Sequence, residues 1–306
     1  MEYTKLTNTE LEISRIGIGC WAIGGHGWGY VDDNESIKAI HAALDSGVNF
    51  FDTADVYGLG HSERILSKAL GNHRSNVVIS TKFGLEWDES GNIQNNTTPE
   101  RVVEAVESSL RRLNIESIPL YLIHHFDGVT PIEKTMEALI ECKKAGKIQN
   151  IGCSNLSMEM VDEANRLIPL SAVQIPYNVI DRGVEEDILP FLNELNISSL
   201  AFSSLAHGLL SGKYASKVEF SQDDIRSRSP YFQDQAYKDN MAIVKQIENM
   251  AEKYEVTTSQ MSIRWILDNP SIAGAITGVK KDVQVIENMG ALDWNMTDLD
   301  RASLDY

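Results

Sequence analysis

A closed (β/α)8 barrel, an α/β fold of the TIM type, is what this chain predicts. Short apolar runs alternate with helical patterns almost from end to end, the pairs number eight, and no shift in composition divides the chain. An open doubly wound sheet with a second domain is the competing arrangement. It would call for a Pro/Gly/Ser-rich linker, and no such stretch or internal repeat occurs. The 306 residues are therefore expected to form one domain, 1–306.

The elements follow in order. A hairpin is expected over 3–13, turning at Thr7-Asn8-Thr9. Strands are expected at 15–19, 48–51, 77–82, 119–123, 148–152, 171–175, 198–202 and 272–276, each a short apolar run. Helices are expected near 33–46, 61–70, 99–112, 131–145, 157–167, 185–195 and 235–254, with further ones near 259–268, 281–290 and 297–304. Periodicity carries these assignments: Ile132, Met136, Leu139 and Ile140 fall at helical spacing with charged residues between them. Thr98-Pro99-Glu100 and Thr130-Pro131-Ile132 each place a cap residue before a proline at the first helical position. Two connections exceed the usual length, 84–98 and roughly 203–234, and both lie on the catalytic face of such a barrel.

Composition narrows the function classes. Hydrophobic residues make up 42% and charged residues 23%, the balance of a soluble globular protein. No stretch approaches the roughly 18 apolar residues of a membrane span, and the opening MEYTKLTNTELEIS lacks the layout of a secretory signal. Cys20, Cys142 and Cys153 form no CxxC pair and are expected as reduced, buried thiols. A cytoplasmic location and no membrane partner are expected. The formal charge of −17 argues against nucleic-acid binding, which needs a basic footprint. His and Cys spacing suggests no metal site. Oligomeric state is not readable.

Gly17-Ile18-Gly19-Cys20-Trp21-Ala22 has the form of a dinucleotide fingerprint. That motif requires a helix to open at once, whereas Gly24, Gly25, Gly27 and Gly29 follow instead, with Trp28 and Tyr30 among them. A flexible glycine-rich loop is expected there. The strings FFDTADVYG, VVISTKFG and YLIHHFD carry more chemistry. Each reads as a strand end running into a loop, and together they supply Asp52, Tyr57, Lys82 and His124. An acid, a phenol, an amine and an imidazole at separate strand ends suit protonation of an oxygen while a cofactor delivers hydride.

These strings resemble the aldo-keto reductase superfamily over essentially the whole chain, in the manner of a bacterial-type member with a long loop after the seventh strand. The resemblance implies that Asp52, Tyr57, Lys82 and His124, rather than His125, are catalytic. Tyr57 would be the general acid. Lys82 would lower its pKa, Asp52 would keep Lys82 charged, and His124 would hydrogen-bond the substrate oxygen. It further implies NADP(H) as cofactor. IGCSN places Ser154 and Asn155 at the nicotinamide, with Gln174 of VQIPYN, and Phe202 stands where a tyrosine often stacks on that ring. In AFSSLAHGLLSGKY, Ser203, Leu205, Gly208, Leu209, Ser211, Gly212 and Lys213 correspond to the pyrophosphate segment. AITGVKKDVQVIENMGAL corresponds to the adenosine 2′-phosphate and adenine site, through Gly278, Lys280, Gln284 and Asn288. There the chain departs from the family, because Gly278 and Gln284 stand where a lysine and an arginine often grip the phosphate. Lys280 is expected to compensate, and Arg226 and Arg228 of DDIRSRSPYFQ resemble a loop folded over cofactor.

Trp21, Tyr30, Trp87, His125 and Phe126 are the expected substrate contacts. His125 departs from the tryptophan many relatives carry, and a polar ring there suits a hydroxylated substrate such as a sugar. The implied activity is interconversion of a carbonyl (aldehyde, ketone or sugar) and an alcohol. A non-enzymatic NADPH-binding sensor or regulatory subunit is the alternative on the same fold.

Overall fold

A computed structural model describes residues 1–214 and 219–304. Residues 215–218, inside the second long connection, and the last two residues of the expected domain lie outside it. The strands are β1 (Tyr3–Lys5), β2 (Glu12–Ser14), β3 (Ile16–Gly19), β4 (Phe50–Asp52), β5 (Val78–Phe83), β6 (Leu85–Trp87), β7 (Ile93–Asn95), β8 (Ile118–Ile123), β9 (Ile148–Ser154), β10 (Ala172–Pro176), β11 (Ser198–Phe202) and β12 (Ile272–Gly278). Eight of them close a parallel barrel in the order β3-β4-β5-β8-β9-β10-β11-β12, with β12 pairing back to β3. The helices are α1 (Asp33–Asp45), α2 (His61–Leu70), α3 (Pro99–Leu113), α4 (Ile132–Lys144), α5 (Met158–Leu167), α6 (Ile188–Glu194), α7 (Asp234–Tyr254), α8 (Thr258–Leu267), α9 (Asp282–Met289) and α10 (Asp298–Ser303).

Period-two patterning builds the barrel. Phe50 points inward and Phe51 outward to the helices; Leu120 and Leu122 point inward, Tyr121 and Ile123 outward. The inner cluster also takes in Leu6 and Ile13, because the β1–β2 hairpin plugs one mouth of the barrel. At the seam between first and last barrel strands, Arg15 donates to the carbonyls of Leu267 and Ile272 at 2.8 and 2.9 Å. The larger core lies between strands and helices and includes the fully buried Trp265 of α8.

The expected elements are present, with differences that have local causes. Thr98 caps α3 with Pro99 in its first turn, as its string implies. Thr130 does not cap α4. Pro131 itself is the N-cap, and Thr130 donates instead to Asp127, whose carboxylate also accepts the Thr97, Val129 and Thr130 amides. An Asx turn outcompetes the threonine cap because one carboxylate can accept several backbone donors at once. The helix expected over 185–195 starts later, after a 3-10 turn at Gly183–Glu185. The connection 84–98 is an ordered hairpin of β6 and β7, pairing Leu85 with Asn95 and Trp87 with Ile93. Its strands are three residues long, too short for alternation to register in the sequence.

Candidate active site

Strand register brings the four expected catalytic residues together at one mouth of the barrel. Asp52, the last residue of β4, pairs with Ser80 of β5, so Lys82 lies two residues further along the same face. Its ammonium donates to Asp52 Oδ2 at 2.7 Å, to the Thr53 carbonyl at 2.8 Å and to Tyr57 Oη at 3.3 Å. Tyr57 reaches this point on a turn that only glycine allows. Gly58 has φ 60°, and a Cβ there would stand 2.2 Å from the Gly24 carbonyl oxygen. His124 follows β8, its amide bonded to Phe83 O at 2.7 Å, and its ring stands perpendicular to Tyr57 at 5.6 Å.

Burial sets the charge states. Loss of solvent presses the Lys82 pKa down, but Asp52 and Tyr57 outweigh it and the net shift is upward, so the ammonium persists. Burial raises the Tyr57 phenol against the opposing pull of Lys82. Lys82 pulls the Tyr57 pKa down, as expected, but the net direction is upward. Its charge restrains a rise, because desolvation of the phenolate and the negative Asp52 together exceed it. Tyr57 is protonated at neutral pH, the state an acid needs. His124 is held well below the usual imidazole value by burial and by Lys82 and His125, and so is neutral. Its Nδ1 is buried with no hydrogen-bond partner.

The expected nicotinamide residues lie beside this centre. Ser154 ends β9, Gln174 stands within β10 and Phe202 ends β11. Gln174 donates to Asp52 Oδ1 at 2.5 Å, and Asn155 donates to the His124 carbonyl at 2.9 Å and to Ser154 Oγ at 3.0 Å. These contacts use side-chain N–H groups, so the amide oxygens of Gln174 and Asn155 fit a carboxamide donor. In the segment after β11, Ser203, Ala206 and His207 are left-handed without being glycine, at φ 58°, 46° and 57°. Backbone held in sparsely populated regions clusters at binding sites. Leu209 is buried here, Leu205, Gly208, Ser211 and Gly212 are partly so, and Lys213 is exposed with its ammonium 4.9 Å from the Tyr214 ring centre.

At the far end the expected residues are arranged unequally. Lys280 is half-buried and donates to the Trp28 carbonyl at 2.6 Å. Burial lowers its pKa, helped by repulsion from Arg226 and Lys213. Arg226 is bound to Asp224 and to Tyr214 Oη at 2.7 Å. Gln284 is occupied in capping α9, accepting the amides of Lys280 and Lys281 at 2.8 and 3.1 Å. Asn288 is buried in α9, whereas Gly278 and Arg228 are exposed.

Of the expected substrate contacts, Trp21 stacks on Tyr57 at 5.8 Å, and the His125 ring lies 4.9 Å from that of His124. Trp87 stands on the β6–β7 hairpin, and Phe126 is tied to that hairpin by Asn95, which donates to its carbonyl at 2.9 Å. Tyr30 stands apart at 90% exposure. Sequence reasoning missed His207. Its ring packs edge-on against Trp21, Trp28 and Tyr231, and its Nδ1 meets Ser229 at 3.0 Å. Nothing in LAHGLL marks that histidine, because its neighbours come from other loops. Among the described residues, no cluster of His, Cys, Asp or Glu suits a metal ion, and no helix is long and apolar enough to cross a membrane.

Residues 15–306 match the model of the aldo/keto reductase family. The chain is 39% identical to the aldo-keto reductase YhdN of Bacillus subtilis, covering all of this chain and 93% of that protein. It is 34% identical to the aldo-keto reductase yakc [NADP(+)] of Schizosaccharomyces pombe (94% and 86% covered) and 32% identical to the NADH-specific methylglyoxal reductase of Escherichia coli (98% and 96%). Its fold superposes on the glycerol dehydrogenase AKR11B4 of Gluconobacter oxydans with a TM-score of 0.91 at 36% identity, covering 99% and 94% of the two chains.

The histidines give the site a pH signature. His124 titrates well below 6.5 and His207 at about 4, both because burial disfavours the charged ring. The unfolded chain takes up these protons near pH 6.5 while the native fold refuses them. The stability contribution is therefore complete above pH 6.5 and is lost as pH falls from 6.5 toward 4. Melting temperature should drop across that window, and His207→Gln should flatten part of the slope. Identical slopes in wild type and variant would contradict the assignment.

Proposed function

Because the chain belongs to the aldo/keto reductase family, we propose that it interconverts a carbonyl and an alcohol using NADP(H), with Tyr57 as general acid and base. The observation that carries this reading is the Tyr57 hydroxyl 3.3 Å from an ammonium that Asp52 keeps charged. When bound, the nicotinamide supplies or accepts the hydride. The rest is the work of this chain's residues. Tyr57 Oη gives its proton to the substrate oxygen, and the negative charge left on the phenol is met by Lys82. Asp52 stays paired with Lys82 at 2.7 Å. Neutral His124 hydrogen-bonds the same substrate oxygen without competing for its proton. In the alcohol-to-carbonyl direction Tyr57 Oη takes the proton back.

Ser154, Asn155 and Gln174 would hold the carboxamide, and Phe202 would face the ring. The segment from Ser203 to Lys213 would hold the pyrophosphate. Burial lowers the Lys280 pKa, and repulsion from the positive charges of Arg226 and Lys213 adds to that against the pull of Asp224, in a chain whose net charge is −17. A 2′-phosphate would relieve that repulsion, which supports NADPH over NADH. One relative is named for NADP(+) and another as NADH-specific, so the preference rests on these local cations. His125, half-buried and depressed in pKa by burial, is a neutral hydrogen-bonding ring. It favours a hydroxylated substrate.

With purified protein and a panel of aldehydes, ketones and sugars, NADPH oxidation at the nicotinamide band should collapse by about 10²–10⁴-fold in Tyr57→Phe. Tight NADPH binding without turnover on any substrate would favour a sensor instead. Lys280→Met should raise the NADPH KM about 10-fold or more, the scale of a hydrogen bond to a charged group, and leave NADH almost untouched. Equal effects on both cofactors would remove Lys280 from the phosphate site. His125→Trp should shift preference from an aldose toward an aromatic aldehyde; an unchanged ratio would refute the role given to that imidazole.

A further inference from the structure

Arg101 occupies an unfavourable place for a cation. It lies in the first turn of α3, where the helix dipole disfavours positive charge, and it is 8% exposed. Its Nη2 donates to Asp55 Oδ2 at 2.7 Å and to the Leu85 carbonyl at 2.9 Å, and its guanidinium lies 5.7 Å from the Trp87 ring centre. Asp55 is two residues from Tyr57, is fully buried, and donates its own amide to the Lys82 carbonyl at 3.2 Å. Leu85 and Trp87 belong to the β6–β7 hairpin. The base of that hairpin, Gly84, lies against His125, where a Cβ would stand 2.3 Å from the carbonyl oxygen. One guanidinium thus joins the loop carrying the acid to the hairpin beside the expected substrate contacts.

The pair is a poor device for stability alone. Asp55 Oδ1 and Arg101 Nε are buried without partners, and burial pushes the Asp55 carboxyl up to about 7 against the opposing pull of Arg101. A buried ion pair left incompletely bonded often contributes less than apolar packing would.

We propose that Arg101 is a positioning residue that couples the Tyr57 loop to the substrate-facing hairpin, so that seating the hairpin on substrate sets the place of the acid. This rests on Tyr57 being that acid.

The test uses the full chain carrying Arg101→Lys, Arg101→Met, Trp87→Ala and the Arg101→Lys/Trp87→Ala double variant. Both bonds come from Nη2, and a lysine ammonium, one atom shorter on its stem and without the planar guanidinium set near Trp87, cannot keep that place against both acceptors. Arg101→Lys should therefore lower kcat on the order of 10–100-fold, the cost of a small misplacement at a reacting centre. NADPH affinity, read by nicotinamide fluorescence, should stay unchanged, and the primary isotope effect with deuterated NADPH should rise as the chemical step becomes limiting. The loss should be smaller in the Trp87→Ala background, since coupled residues are non-additive. A folded Arg101→Lys protein with wild-type kcat, or losses that add independently of Trp87, would overturn the coupling. If Arg101→Met does not fold, the lysine variant still decides. Turnover surviving in Tyr57→Phe would sink the reading of the acid, whereas an inactive Tyr57→Phe beside a normal Arg101→Lys would sink only the coupling.

Discussion

The active mouth of this barrel depends on one buried ion pair, Lys82 with Asp52. Taking both charges out of water is expensive, and the interior returns that cost only when geometry is good and remaining valences are met. Here they are met. Lys82 also donates to Thr53 O and Tyr57 Oη, and Asp52 also accepts from Gln174. The pair therefore binds three barrel strands together at the mouth that carries the candidate site. Either side chain removed alone would strand a charge in the core.

A second layer of charge stands behind the first. Thr81, the neighbour of Lys82 on β5, faces the other way and donates to Glu63 at 2.7 Å; Arg112 pairs with Glu63 at 2.5 Å. Together with Asp55 and Arg101 these residues occupy the space between barrel and helices α2 and α3. Alternation along a single strand thus serves two purposes: one face supplies the site and the other anchors the strand that carries it.

Electrostatics divides the mouth into two ends. Around Tyr57 the histidines are neutral and the ammonium is locked to its carboxylate, which suits an uncharged substrate. The positive charges of Arg226 and Lys213 act on Lys280, with Asp224 as the opposing anion, which suits a phosphate. The glycine-rich loop links the two. Trp21 stacks on Tyr57, and Trp28 meets Lys280 through its carbonyl and Arg226 through its ring at 5.6 Å.

What the amino-acid order determined by itself was local. Periods of 2 and 3.6 marked the barrel strands and helices to within a few residues, and the strings around Asp52, Tyr57, Lys82 and His124 marked the centre. Those signals survive in one dimension because neighbours along the chain produce them. Other features were decided only when the barrel closed. The β6–β7 hairpin was too short for its pattern to show. Asp127 took the turn from Thr130 by competing for backbone donors. Burial outweighed the downward pull of Lys82 at Tyr57, and Tyr30 was carried out into solvent. His207 and Arg101 acquired their contacts from residues far along the chain, such as Trp21 for His207 and Asp55, 46 positions away, for Arg101. Contacts between loops and helices brought together by barrel closure have no period in the sequence.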